Sequence, residues 1–393
     1  MLHRLANHND DIRRLLEKGY AISFDSNYLV IRDVLYLDDD KALKTGAIVS
    51  KLVFTDVDHV VLEDHSIFFC GSHPNEIDGT QIKNLGGGPT TLALVATDIK
   101  VERSFSNKPL NPDTSFRAFV DLFEKIESYV GIISGPALDL YPEAKVLTFQ
   151  SFDDNSESVF KFNDTLTSRA EIGELAVKFK EDVIAIIGLG GTGSYILDFL
   201  AKTPVKEVRG FDLDVFHIHN AFRSPGKLES DELGRNKAEV YQNRYAGFRH
   251  GINIQTKYIL ADSIEELEGV TFAFVCVDKG TSRAGIFDLL IQMGIPFIDV
   301  GMGLHKNRGA IDGIIRTTYY PAESAQDMVA KKLAPVHDDA DDIYKTNIQL
   351  SELNALNACL AIIRFKQLRG FYFDDSNFNH MLFSIHDLDL EGE

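Results

Sequence analysis

The sequence predicts an α/β fold, a doubly wound, Rossmann-like domain preceded by a smaller α+β domain, and three observations predict it. The apolar run 183–187 enters the glycine-rich turn Gly188-Leu189-Gly190-Gly191-Thr192-Gly193. A second strand, 207–211, ends at Asp212-Leu213-Asp214, and a third, 272–277, ends at Asp278. Ahead of residue 150 the period is different: an amphipathic helix leads into alternating, β-branched-rich strands, as in an antiparallel meander.

The first domain, residues 1–150, opens with a helix over 3–18 that carries Leu5, Ile12, Leu15 and Leu16 among charges and ends near Gly19. Residues 20–37 read as a hairpin about Asp25-Ser26-Asn27, and 46–54 and 59–70 as two further strands. A later amphipathic helix is expected over 115–130, ahead of Pro136 and Pro142. The polar, serine-rich stretch 153–163 is the expected boundary, and the second domain occupies 164–393.

In the second domain the strand 183–187 feeds a loop in which Gly188, Gly190, Gly191 and Gly193 permit a tight turn and a close backbone approach to phosphate. The helix from Ser194 to about Lys202 aims its N-terminal N–H groups at that anion. By itself this G-x-G-x-x-G pattern implies a dinucleotide such as NAD, and Asp212 or Asp214 at the end of the next strand stands where a ribose hydroxyl is met. Residues 296–303 form another buried strand ending in small residues, and 309–318 continue as strand. The acidic stretch 321–344, with Asp338, Asp339, Asp341 and Asp342, is a loop that either crosses the site or is simply solvated. A helix over 350–369 has Ser351 placed to cap it and Leu353, Leu356, Leu360 and Ile363 along one side.

The bulk properties narrow the function. At 393 residues with a net charge of −19, the chain has core enough for two domains and argues against a nucleic-acid surface. Cys70, Cys276 and Cys359 lie far apart, so neither a disulfide framework nor a cysteine-rich zinc site follows from them. The first residues lack an apolar signal core, and no charge-poor run is long enough to cross a bilayer; the expected location is cytoplasmic, without a membrane partner.

Two resemblances carry the reading further. His73-Pro74-Asn75, after a helix and a meander, resembles the signature of ubiquitin-conjugating enzymes, but the following stretch 79–85 lacks their cysteine. The resemblance implies an inactive conjugating-enzyme-like domain that binds rather than reacts. The glycine loop, Asp212-Leu213-Asp214-Val215, Asn220-Ala221-Phe222-Arg223, Lys237 after Gly234, and Asp278 with Arg283 beyond it resemble, in order, the motifs of the ThiF family. That family includes ubiquitin-activating enzymes and the activators of sulfur carriers, and it adenylates a carboxylate with ATP.

Making an acyl-adenylate brings two anions together and expels pyrophosphate, so cations must neutralise both. On this reading Arg223 and Lys237 hold the phosphates, Asp278 holds Mg²⁺, Asp214 in preference to Asp212 binds the ribose, and Asn220 bonds phosphate or ribose oxygens. Arg283 joins the nucleotide-binding set, and Arg169 stands where relatives send an arginine into the partner subunit's site, which implies a homodimer. The bland alternatives are a helix cap at Asp278, a structural Asp212, and surface charges at Arg169, Arg223 and Lys237. Ser224 replaces the family's glutamine, and the paired C-x-x-C motifs are missing, so no zinc is expected.

The expected activity is therefore ATP- and Mg²⁺-dependent adenylation of the C-terminal glycine carboxylate of a ubiquitin-like protein, the reaction either stopping at the adenylate or passing the acyl group to a thiol on another protein. The alternatives are a sulfur carrier, a peptide or a tRNA nucleoside as substrate, an NAD-dependent oxidoreductase, or a nucleotide-binding scaffold without turnover.

Overall fold

A computed structural model describes residues 2–94, 96, 98–151, 158–162, 164, 166–167, 172–337 and 348–393. The chain divides into two compact units, Met1–Gly173 and Glu174–Glu393. The polar stretch expected to be the boundary contributes to the first unit. Gln150 bridges Phe162, Ser151 N–H donates to Lys161 O at 3.0 Å, and Phe160 is buried.

In the first unit the expected opening helix is two, Leu2–His8 and Asp10–Lys18, broken at Asn9. Asn9 is buried because its amide donates to Leu5 O and Asp58 O, and its oxygen accepts Val60 N–H. Strands β1 (Ala21–Asp25), β2 (Tyr28–Leu37), β3 (Leu43–Phe54), β4 (Val60–Leu62), β5 (Ser66–Cys70), β6 (Gly88–Pro89) and β7 (Arg103–Ser106) follow. They form an antiparallel sheet in the order β1-β2-β3-β5-β7-β6, with β4 paired to β3. The later helix runs over Leu122–Leu140 rather than 115–130. The Asp121 carboxylate caps it by accepting Glu124 N–H at 2.7 Å, and the helix continues through Pro136 instead of stopping before it.

The second unit holds β8 (Val183–Ile187), β9 (Glu207–Phe211), β10 (Ile252–Gln255), β11 (Phe272–Val275), β12 (Phe297–Asn307), β13 (Ala310–Tyr320), β14 (His380–Ser384) and β15 (Asp389–Gly392). Their order in one sheet is β10-β9-β8-β11-β12-β13-β14-β15. The first five are parallel and the last three add on antiparallel. Every residue of β8 is buried because both faces are covered. Ile184 and Ile186 pack with Ile196, Leu197, Ala361 and Phe365 from helices Gly191–Ala201 and Ser351–Leu368. Ala185 and Ile187 pack on the other side with Ile286, Phe287 and Leu290 of helix Gly280–Gln292. This is the doubly wound α/β arrangement the sequence predicts.

The strand order reverses between β8 and β11, whose register pairs Ile187 with Val275. In such a sheet the crevice beyond the carboxyl ends of these two strands is where ligands bind. The glycine loop follows β8 and Asp278 follows β11, so the fold delivers both to that point.

The helix Ser351–Leu368 corrects one expectation. Its buried face is Asn354, Asn357, Ala358, Ala361 and Phe365, while Ile363 of the expected leucine stripe is 45% exposed. Ser351 does not cap the helix; its hydroxyl lies 2.6 Å from the Tyr195 hydroxyl.

Candidate functional site

Gly188 has φ +96°, and a Cβ there would lie 2.8 Å from Cys276 O, so the turn out of β8 requires glycine. Gly190, the residue before helix Gly191–Ala201, faces open space. The first-turn N–H groups of that helix have no intrahelical acceptor, which leaves them to a ligand. Thr192 donates its hydroxyl to Asn354 Oδ1 at 3.0 Å, and a side chain at Gly191 would meet the same amide.

Asp212, at the end of β9, is buried and turned inward. Its carboxylate accepts Leu189 N–H at 2.8 Å and Asp214 N–H at 2.9 Å, and so clamps the glycine loop to the next segment. Asp214 points the other way, with its side chain 58% exposed. Lys237 Nζ is buried between them, 2.8 Å from Asp214 Oδ2 and 3.5 Å from Asp212 Oδ1. The Lys237 bond is the largest cause that holds the Asp214 carboxyl below its ordinary value.

Around this pair opens a cleft of about 500 Å³, lined by Asp214, His217, His219, Asn220, Arg223, Lys237 and Tyr258. Four expected site residues meet there. Asn220 is buried and its amide oxygen accepts His217 N–H at 2.8 Å, so its amide N–H groups are what it offers a ligand. Arg223 is held by its backbone, its N–H on Asn220 O and its carbonyl 3.5 Å from Asn354 Nδ2, while its Nε is buried without a hydrogen-bond partner among the described residues. An uncommitted guanidinium in a polar cleft is an anion site in waiting. Ser224 is buried beside Tyr241 and does not line the cleft.

Asp278 is exposed at the mouth of β11 and does not cap the following helix; Lys279 precedes that helix without a side-chain bond. Among the described residues no cluster of three or more metal-ligating side chains occurs. A lone free carboxylate fits Mg²⁺, which one or two carboxylates share with substrate phosphates.

Arg283 is corrected. It is not in the cleft: its guanidinium is buried, donating to Asp299 Oδ1 at 2.9 Å, Pro335 O at 2.9 Å and Val277 O. It therefore fixes the backbone immediately before Asp278. Arg169 and the acidic cluster at 338–342 lie outside the described residues. His217, His219 and Tyr258 line the cleft and Asn354 supports it, and sequence reasoning does not find them; the two histidines just ahead of the asparagine of the Asn-x-x-Arg motif were the available signal.

The glycine loop at the switch point, with Asp214, Asn220, Arg223 and Lys237 in one cleft, is matched by the family comparison: residues 167–361 match the ThiF family and residues 10–165 a domain of unknown function, DUF6791. Residues 167–361 are a ThiF-family domain. The chain is 25% identical over 166 residues to the tRNA threonylcarbamoyladenosine dehydratase of Escherichia coli, covering 41% of this chain and 60% of that protein. It is 25% identical over 131 residues to the adenylyltransferase and sulfurtransferase UBA4 of Saccharomyces cerevisiae, covering 32% of this chain and 30% of that protein. The chain thus spans less than two thirds of either relative. Among solved structures it is similar to E. coli MccB crystallised with ATP, with a TM-score of 0.44 and 17% identity over 56% of this chain and 65% of that one. It is also similar to the E. coli dehydratase TcdA with AMP, with a TM-score of 0.40 and 17% identity over 52% and 92%. No helix among the described residues is long and apolar enough to cross a membrane.

Proposed function

We propose that the chain is an ATP-dependent adenylyltransferase that activates the C-terminal carboxylate of a ubiquitin-like protein. The observation that carries this reading is the convergence of Arg223, Lys237, Asn220 and Asp214 on one cleft beside a phosphate-type glycine loop. A nucleotide placed there would set its ribose on Asp214 and its phosphates against the N-terminus of helix Gly191–Ala201, Arg223 and Lys237.

In the reaction a carboxylate oxygen bonds to the α-phosphorus while the α–β P–O bond breaks, and the electron pair leaves with pyrophosphate. Arg223 and Lys237 meet the charge that builds on the leaving group, and Asn220 donates to a phosphate oxygen. Mg²⁺ held by Asp278 would supply further neutralisation of phosphate charge. Asp212 and Arg283 act at one remove, keeping the glycine loop and the Asp278 backbone in place.

A thiol on another protein then loses its proton to solvent and attacks the acyl carbon, and the acyl C–O bond to phosphate breaks as AMP leaves. Burial pushes the Cys276 thiol far above its ordinary range, and burial raises Cys359 too, so neither is a ready nucleophile. A protein substrate is preferred to the tRNA in the dehydratase's name because a net charge of −19 opposes a polyanion. The first unit, in which the turn at Asn75 is buried and bonded to Leu37 O, serves as a binding module for the modifier or its acceptor.

ATP–pyrophosphate exchange tests the reading. Exchange that appears only when a glycine-ending ubiquitin-like protein is added supports it. Tight NAD binding without exchange under any candidate substrate overturns it.

A further inference from the structure

We propose that His217 and His219 form a protonation-linked site for the outer phosphates of the nucleotide, so that the cleft grips pyrophosphate-bearing ligands more tightly when the pair is protonated. The inference rests on the nucleotide reading above and names residues to which nothing so far gives a role.

The two rings stack with centroids 5.6 Å apart and planes 22° from parallel. Both line the cleft together with Arg223 and Lys237. The His217 backbone is tied to Asn220, since His217 N–H donates to Asn220 Oδ1 and Asn220 N–H donates to His217 O at 2.9 Å. Both rings are exposed to an incoming ligand.

Charge explains what they would add. Lys237 shares its positive charge with Asp214 and Asp212, so only part of it is left for the phosphates. Arg223 is the cation of the cleft that retains an unpartnered donor. A triphosphate or pyrophosphate brings more negative charge than one guanidinium balances, and two imidazoles can supply the remainder only by taking up protons. The charged and titratable groups that line the cleft with the pair are Arg223, Lys237, Asp214 and Tyr258, and the buried Asp212 lies 3.5 Å from Lys237 Nζ.

Without a ligand, loss of hydration, then Arg223, the His217 ring and Lys237 hold His219 below its ordinary value of 6.5. A bound polyanion reverses the cationic part of that balance and raises the value. The bound state thus holds more protons than the free state, and affinity rises as pH falls. One linked proton changes affinity by about tenfold per pH unit across its titration.

The test is calorimetric titration of the full chain with inorganic pyrophosphate and, separately, AMP, between pH 6 and pH 8 and in two buffers of different ionisation enthalpy. The double variant His217→Gln/His219→Gln is measured in parallel, so that protonation of the ligand itself cancels. The expected result is proton uptake with pyrophosphate in the parent that is lost in the variant. The ratio of pyrophosphate to AMP affinity at pH 6 should fall by about tenfold in the variant. An equal pH slope and equal proton uptake in the two proteins overturns the histidine site while leaving the nucleotide reading intact. A folded parent that binds neither AMP nor pyrophosphate overturns both.

Discussion

Lys237 Nζ lies 2.8 Å from Asp214 Oδ2, and this ion pair joins the start of helix Lys237–Ala246 to the exposed acid of the cleft. The same ammonium reaches the buried Asp212 at 3.5 Å, so one cation serves both an acid that faces ligand and an acid that clamps the glycine loop. Lys237→Met leaves Asp212 buried without its counter-charge. The expected cost is about 3 kcal/mol of stability, read as a lower melting temperature, because breaking a buried pair strands a charge. Pyrophosphate exchange should fall by about 10²- to 10³-fold, as when a donor to developing charge is removed.

Asp214→Asn separates the two functions of that cation. Lys237 keeps Asp212, so neutral-pH stability should shift by less than about 1 kcal/mol. The pH dependence should change more clearly. The Asp214 carboxyl is depressed from 3.8, chiefly by the Lys237 bond, so its contribution is present above the unfolded value and is lost as pH falls through the folded one. Melting temperatures taken below about pH 4 should fall more steeply in the parent than in Asp214→Asn. Parallel curves would show that the pair carries no acid-side stability.

Gly190 and Gly193 should respond differently to the same added methyl group. A Cβ at Gly190 meets nothing within 4 Å, whereas one at Gly193 would lie 2.0 Å from Gly188 O. Gly190→Ala should fold with a near-parent melt and bind nucleotide more weakly, because its methyl occupies the space a phosphate would use. Gly193→Ala should lose soluble, folded protein. Binding of AMP followed beside a thermal melt distinguishes the two outcomes.

Arg283→Met should damage the site from outside it. The guanidinium bridges Asp299, Pro335 O and Val277 O, and Asp299 retains Arg316 when Arg283 is removed. A loss of about 3 kcal/mol is expected from the broken buried pair, tempered by that second arginine. AMP affinity should change less than exchange activity, because the backbone before Asp278 is loosened while the Asp214 side of the cleft is untouched.

These residues also show what the sequence made legible. The β8-to-glycine-loop transition is written in adjacent residues, so periodicity and turn chemistry reveal it. The sequence already favours Asp214 over Asp212, but the physical reason is visible only in the structure, where Asp212 is spent on Leu189 N–H. Arg283 joins the nucleotide set in the sequence through its place beyond Asp278 in the motif order, and its structural role is not legible there because its partners, Asp299 and Pro335, are distant in the chain and leave no local signal. Helix Ser351–Leu368 misled in the opposite sense. Its leucines suggest the buried face, but Asn354 and Asn357 are buried instead, because they bond Thr192, Thr317 and Gly301 O. Hydrogen bonding to groups elsewhere in the fold overrides the apolar stripe.

Asp278→Asn isolates the last expected role. The carboxylate stands exposed beyond β11, at the point where the strand order reverses, and takes part in no hydrogen bond or ion pair among the described residues. Its removal should therefore leave the melting temperature within about 0.5 kcal/mol equivalent of the parent, as surface changes do. If it holds Mg²⁺ against the phosphates, exchange should fall by at least about 10²-fold and the dependence of the rate on Mg²⁺ concentration should shift to higher values. An unchanged Mg²⁺ profile would remove Asp278 from the site and leave Arg223, Lys237 and the glycine loop to meet the phosphate charge alone.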